Sequence, residues 1–350
     1  MQNLIIGNKT AKIPIIQGGM GVGVSRSGLA GAVAAAGGVG IISSAQIGYD
    51  EENFLTDHKN ANRNALIKHI KKAKEKSRGG LVGVNVMTAL KDYAEHVKIS
   101  VEAGADVVIC GAGLPTNLPE LVAGSDTKFA PIVSSAKAAS LLLRRWEKTY
   151  NTTADFIVIE GPMAGGHLGF SLDDLDKYKG NNNKYDLEIQ KIIETVKPFE
   201  EKFGRHIPVI VAGGIFDKAD IEHALSLGAD GVQIASRFVA TEECDASDAY
   251  KQTYINATED DIEIIKSPVG MPGRAIKNKF LEKIGTDRPP IRCLGCLAKC
   301  NPSEIPYCIT DALIKAVKGD IENGLLFAGE NVSRINSITT VPELIAELTW

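Results

Sequence analysis

His167 is the residue whose surroundings best suit proton chemistry. Of the six histidines, at 58, 69, 96, 167, 206 and 223, it alone is flanked by glycines at the end of an apolar run, in Gly165-Gly166-His167-Leu168-Gly169. An imidazole near its ordinary pKa of about 6.5 can act as a general base or hydrogen-bond a substrate oxygen at neutral pH. A structural histidine bonded to a backbone carbonyl is the other common use of such a ring. No Ser or Asp stands in an evident relay with it, so nucleophilic hydrolysis is not indicated. A second constellation is Ala212-Gly213-Gly214 with Ala235-Ser236-Arg237. Paired glycines let the backbone fold close to a dianion and Ser236 can add a hydroxyl, which suits a phosphate-bearing ligand. A third is Cys293, Cys296, Cys300 and Cys308, spaced C-x2-C-x3-C-x7-C. Four thiolates suit Zn²⁺ or an iron–sulfur cluster, and Lys299 and Arg292 would help lower the thiol pKa values. Reduced structural thiols and redox disulfides are the alternatives, while Cys110 and Cys244 read as ordinary thiols.

These residues need elements to position them. Eight short Val/Ile-rich runs supply candidate strands: Pro14–Gln17, Val39–Ile42, Leu81–Val86, Asp106–Ile109, Ala130–Val133, Phe156–Ile159, Pro208–Val211 and Gly231–Ile234. They are apolar almost throughout, as parallel strands buried on both faces should be. Helical periodicity fills Ser27–Ala36, Asn62–Lys76, Tyr93–Ala103, Ala136–Glu147, Leu187–Phe203 and Lys218–Leu227. Two of these helices run into the next strand through the same phrase, Gly104-Ala105-Asp106 and Gly228-Ala229-Asp230, with Gly at a left-handed C-cap. The repeated alternation predicts an α/β fold, a closed TIM (β/α)8 barrel, in preference to an open doubly wound sheet. The barrel occupies residues 1–255, and a smaller C-terminal domain or extension, 256–350, carries the cysteine cluster. In a barrel the C-terminal strand ends form the active face, which gathers Gly18, Gly19, Met20, Asn85, Ser134, Glu160, His167, Gly213, Gly214 and Ser236. The polar stretch Leu168–Asp186, with Asn181-Asn182-Asn183, reads as a surface insertion above the mouth, either a lid or a loop without a role. Past Thr253 we expect a strand over Asp260–Lys266, a turn at Gly270–Arg274, a helix over Lys277–Lys283, the pair Pro289-Pro290, and helices over Tyr307–Val317 and Val341–Leu348.

Composition narrows the field. The 350 residues carry 39 Lys+Arg against 43 Asp+Glu, with 44% hydrophobic residues. That rules out disorder, and the slightly acidic balance does not suggest a nucleic-acid-binding face. No apolar run approaches the roughly 18 residues a membrane helix needs. The start Met1-Gln2-Asn3-Leu4-Ile5-Ile6-Gly7 lacks the pattern of a secretory signal, so a soluble cytoplasmic protein without membrane or nucleic-acid partners is the expectation.

Five motifs in order, Pro14–Met20, Gly83-Val84-Asn85, Ala164–His167, Ala212–Ile215 and Gly231–Ile234, together with Gly273–Ile276, resemble the nitronate monooxygenase (2-nitropropane dioxygenase-like) family across residues 1–285. Flavin-type enoyl-acyl-carrier-protein reductases and some NADH:quinone reductases are similar to it. The resemblance implies a barrel that binds FMN without a covalent bond. It places the FMN phosphate at Gly214 and at Gln233, Ile234, Ala235 and Ser236, beside Gly213. Asn85, Glu160 and Gly165 fall near the ring and ribityl chain, Gly18, Gly19, Met20 and Gly166 are further cofactor-binding candidates, and His167 matches the active-site histidine. The implied reaction takes a nitronate, or a nitroalkane deprotonated by His167, to a carbonyl compound and nitrite. The rival it implies is NAD(P)H-dependent reduction of an enoyl thioester or quinone; a non-catalytic phosphate-binding barrel is a third class. Small-molecule substrates and a homo-oligomer fit any of these. Three positions depart from the family: Met163 stands where Glu is usual, Ala235-Ser236 where Gly-Thr is frequent, and Glu160 where some relatives have Gln.

Overall fold

The computed structural model describes residues 1–179, 182–284 and 293–349. Asn181, Pro289-Pro290 and Arg292 lie outside the described residues. A hairpin opens the chain: β1, Leu4–Ile6, pairs antiparallel with β2, Lys9–Ala11. Eight parallel strands then close into a barrel: β3 (Ile15–Gln17), β4 (Val39–Ser43), β5 (Leu81–Met87), β6 (Val107–Gly111), β7 (Lys128–Val133), β8 (Ile157–Glu160), β10 (Val209–Ala212) and β11 (Gly231–Ile234). Each neighbours its successor, and β11 returns to β3 with Gln233 opposite Ile16. All eight expected strands are present, within a residue or two of their expected bounds. β9 (Gly166–His167), outside the barrel wall, joins a small antiparallel sheet with β12 (Ile262–Lys266) and β13 (Pro272–Ile276).

Burial on both faces explains the unbroken apolar runs. Inside the barrel, Ile16, Ile41, Ile109, Phe156, Val158 and Ile210 form one cluster, and Leu4, Ile6 and Ala11 of the hairpin join it as a plug. The outward residues, such as Ile42, Val84, Val108 and Ile157, pack beneath the helices with Leu66, Leu142, Trp146 and Ile192. The shared Gly-Ala-Asp phrase has a further use at the N-terminal end of the barrel. Asp106 Oδ2 accepts the Val82 N–H at 2.9 Å, and Asp230 Oδ2 accepts the Val209 N–H at 2.8 Å. Asp155 does the same for Phe129 at 3.0 Å. Each carboxylate thus satisfies a donor on the preceding strand that the ladder leaves unpaired.

Several boundaries differ from expectation for identifiable reasons. The helix expected from Asn62 starts at His58, where Asp57 accepts the Asn60 N–H as N-cap. The helix expected to end at Glu147 continues to Tyr150 and stops at Asn151, which is left-handed at φ +49°. The Gly270–Arg274 turn expected from sequence gives way to β13 from Pro272, since Gly273 and Arg274 pair with both β12 and β9. The insertion is no plain loop either. It contains a helix, Leu172–Tyr178, capped by Ser171, and its rings Phe170, Tyr178 and Tyr185 meet edge to face at centroid distances of 5.2–6.1 Å. Among the described residues no helix is long and apolar enough to cross a membrane.

Candidate active site

The strand ends open into a cavity of about 260 Å³. Gly18, Gly19, Met20, Asn85, Glu160, Gly165, Gly166, His167, Gly213, Gly214, Gln233, Ala235 and Ser236 all line it. Ile234 does not: its side chain is buried with the outer core, and its carbonyl accepts the Gly18 N–H at 2.8 Å, tying β11 to the loop after β3. The structure therefore brings together residues from both ends of the barrel sequence that local patterning could only place one strand at a time.

Three features of the lining suit a phosphate-bearing, hydrogen-bonding ligand. Gly213 and Gly214 lie at φ +88° and +90°, where an L side chain is strained. A Cβ at Gly214 would also come within 3.0 Å of Met163 Sδ. The Gly214 carbonyl is held by Asn331 Nδ2 at 2.7 Å. Ser236 Oγ accepts the Gly329 N–H at 3.0 Å, which leaves its own hydrogen available to a ligand oxygen. Gln233 Oε1 is buried with no hydrogen-bond partner, an arrangement that costs about 1–3 kcal/mol unless a ligand donates to it. At Gly19 a Cβ would fall 2.3 Å from Asn85 Cβ, so this wall admits no side chain.

The segment after β8 carries the titratable groups. Glu160 closes that strand, and its Oε2 accepts the Gly169 N–H at 2.7 Å. Burial pushes its carboxyl up to about 7, with the Gly169 bond opposing the shift. His167 follows on β9, opposite Gly273 of β13. Its Nε2 lies 2.7 Å from Ser267 Oγ, and its ring meets Phe327 edge to face at 4.9 Å. Burial pushes the imidazole down to about 4, so the ring is neutral at pH 7. Between them Arg274, 6% exposed, donates to the Pro162 and Ala164 carbonyls and pairs with Glu330 at 3.0 Å. One guanidinium thus fixes the turn that aims His167.

Sequence reading missed the contribution of the C-terminal segment. Phe327, Gly329 and Asn331 line the cavity, and Glu330 N–H bonds to the Met163 carbonyl at 3.2 Å. Ser267, which touches His167, sits in the turn between β12 and β13. No local pattern marks them: Ser267 reaches the site through the pairing of β13 with β9, and the C-terminal segment through the bridge of Phe327 to Ala275 and the bonds of Gly329 and Asn331 to Ser236 and Gly214. The cysteine expectation fares differently. Among the described residues no three His, Cys, Asp or Glu side chains converge as a metal set requires. Cys293 is exposed, Cys296 Sγ bonds Thr310 Oγ1 at 3.1 Å, and burial pushes the Cys296, Cys300 and Cys308 thiols up, not down. Their loop instead pairs with Ala89–Lys91 beyond β5, through Lys91 N–H to the Cys296 carbonyl at 3.0 Å. Cys110 and Cys244 are both buried.

A closed parallel barrel with its cavity at the C-terminal strand ends is the layout of a barrel enzyme. The chain belongs to the nitronate monooxygenase family: the family model described as Nitronate monooxygenase matches residues 2–350. The match runs past residue 285 and takes in the cysteine loop. The chain is 28% identical over 271 residues to the (3aS,4S,5R,7aS)-5-hydroxy-7a-methyl-1-oxo-octahydro-1H-indene-4-carboxyl-CoA dehydrogenase of Mycobacterium tuberculosis, covering 77% of this chain and 65% of that one. It is 28% identical over 200 residues to a probable nitronate monooxygenase of Bacillus subtilis, covering 55% and 50%. It thus spans 65% and 50% of the lengths of these two curated relatives. Among solved structures, FabK from Thermotoga maritima superimposes with a TM-score of 0.72 at 27% identity, covering 97% of this chain and 92% of that one. A nitroalkane oxidase from Streptomyces ansochromogenes shares the fold, with a TM-score of 0.71 at 21% identity and coverage of 97% and 95%.

Proposed function

We propose that the protein is an FMN-dependent oxidoreductase that converts alkyl nitronates, and nitroalkanes through them, to a carbonyl compound and nitrite. The observation that carries the flavin assignment is the unpartnered Gln233 Oε1 beside the Gly213-Gly214 cradle and the free hydroxyl hydrogen of Ser236. These three groups match a ligand with a phosphate at one end and N–H or O–H donors beyond it. Gly214, Ala235 and Ser236 would hold the phosphate end, with Gln233 Oε1 accepting from a donor next to it and Asn85, Glu160 and Gly165 alongside the ring and ribityl chain. When bound, FMN supplies the electron-accepting and oxygen-reacting centre, which no side chain here can provide.

The chain's own residues bind and orient. His167 Nδ1 has no protein partner among the described residues, and its ring lines the cavity, so this atom is the one offered to a substrate oxygen. Phe327 and Met163 give the cavity apolar surface that strengthens such a contact. Glu160, whose carboxyl burial pushes up to about 7, is a second group that can hold a proton inside.

A second reading has its own support. FabK of Thermotoga maritima resembles nearly the whole chain, and the mycobacterial relative acts on an acyl-CoA thioester by its name. On that reading NADH or NADPH is the reductant and an enoyl thioester or quinone the acceptor. Anaerobic mixing of the FMN-loaded protein with a nitronate and with NADH separates the two. Bleaching of the flavin bands by nitronate, with nitrite release when oxygen is admitted, is the expected result. Rapid bleaching by NADH with none by nitronate would move the assignment to the reductase.

A further inference from the structure

The contact between His167 and Ser267 decides more than ring orientation. Ser267 is 3% exposed and sits between β12 and β13, held by its N–H to the Met271 carbonyl at 3.2 Å. Its Oγ already accepts the Val269 N–H at 3.3 Å. Among the described residues, His167 Nε2 at 2.7 Å is the acceptor within reach of the Ser267 hydroxyl hydrogen. If Nε2 carried the imidazole proton and donated it to Oγ, that hydroxyl hydrogen would be buried without a partner, at a cost of about 1–3 kcal/mol. Donation in the other direction satisfies every group. The proton of the neutral ring then sits on Nδ1, the nitrogen without a protein partner among the described residues, in a side chain that lines the cavity.

We infer that Ser267 is a positioning residue that donates its hydroxyl to His167 Nε2 and fixes the Nδ1–H tautomer, so that His167 offers the cavity a neutral hydrogen-bond donor for an anionic substrate oxygen. This rests on the nitronate reading above and sharpens it. A ring that presents N–H cannot abstract a proton from a neutral nitroalkane, so the histidine is not the general base that its sequence context suggests. The substrate is the preformed anion, a nitronate, whose two oxygens carry the negative charge that a neutral donor binds. In a partly buried site a neutral donor avoids the desolvation that a charged imidazolium would suffer.

The tautomer can be read directly. Long-range proton–nitrogen correlation spectra of the ¹⁵N-histidine-labelled protein, with His167 assigned through His167→Gln, report which ring nitrogen is protonated. We expect a protonated shift at Nδ1 and an unprotonated one at Nε2, with and without FMN. Ser267→Ala should scramble this pattern and lower nitronate kcat/KM by roughly tenfold, the worth of one hydrogen bond. Ser267→Thr, which keeps the hydroxyl, should restore both. The FMN-loaded wild type should turn over a preformed nitronate about a hundredfold faster than the matching neutral nitroalkane, since the latter lacks a general base. A wild-type ring protonated on Nε2 would overturn the inference, and so would an unaltered pattern in Ser267→Ala. Neither result touches flavin binding or nitronate turnover; conversely, loss of nitronate turnover in a protein with the Nδ1–H pattern would remove the functional reading alone.

Discussion

Two neighbouring side chains in this cavity are driven by burial toward their uncharged forms, and their effects on pH behaviour have opposite signs. His167 is pushed down to about 4, below its unfolded value of 6.5, so it takes up a proton on unfolding and lowers stability as pH falls from about 6.5 toward 4. Glu160 is pushed up to about 7 from 4.5, so the folded state binds the extra proton and stability declines as pH rises through that interval. The functional consequence follows from the charge. Above pH 7 an ionised Glu160 places a negative charge in the cavity and opposes an anionic substrate. Nitronate kcat/KM should fall above about 7, and Glu160→Gln should remove that limb while leaving the acid side unchanged, as a pH–rate profile of both proteins will show. Gly214 makes a separate point. Gly214→Ala meets the strain of φ +90°, about 1–3 kcal/mol, together with contact at Met163 Sδ. It should weaken FMN binding by at least about tenfold in a flavin fluorescence titration.

At the scale of elements, the site depends on a return of the chain that sequence patterning does not announce. β9 is two residues long and would not stand alone; it exists because β13 pairs with it, and Arg274 spans the turn that leads into it. Arg274→Met keeps the stem and removes two carbonyl contacts and the Glu330 pair. The expected loss is about 2 kcal/mol in denaturant unfolding, with a larger drop in turnover because His167 loses its aim. The opposite end of the barrel behaves differently. Asp106 serves Val82 and pairs with Lys74 at 2.7 Å, far from the cavity lining. Asp106→Ala should cost about 1–3 kcal/mol of stability and leave FMN affinity unchanged, which unfolding curves and a flavin titration can check together.

For the molecule as a whole, what could be read in advance followed the range of the interactions that build it. The eight strands were legible because burial on both faces writes an apolar run into each, and the glycine pairs marked the strand ends. Ile234, between Gln233 and Ala235, does not line the cavity, and its side chain packs in the core beneath the helices. The hairpin plug, the C-terminal wall at Phe327–Asn331 and Ser267 were invisible. Each depends on a partner about a hundred residues away or on a register that composition does not encode. The cysteine spacing does not by itself specify a metal site: among the described residues no three metal-ligating side chains converge, Cys293 is exposed and Cys296 bonds to Thr310. The proposed chemistry requires the cavity to take a flavin nucleotide. The most direct measurement is the visible absorption spectrum of the purified protein after saturation with FMN and removal of the excess. One FMN retained per chain, with its bands shifted from those of the free nucleotide, is the predicted result; a colourless protein that retains none would contradict it.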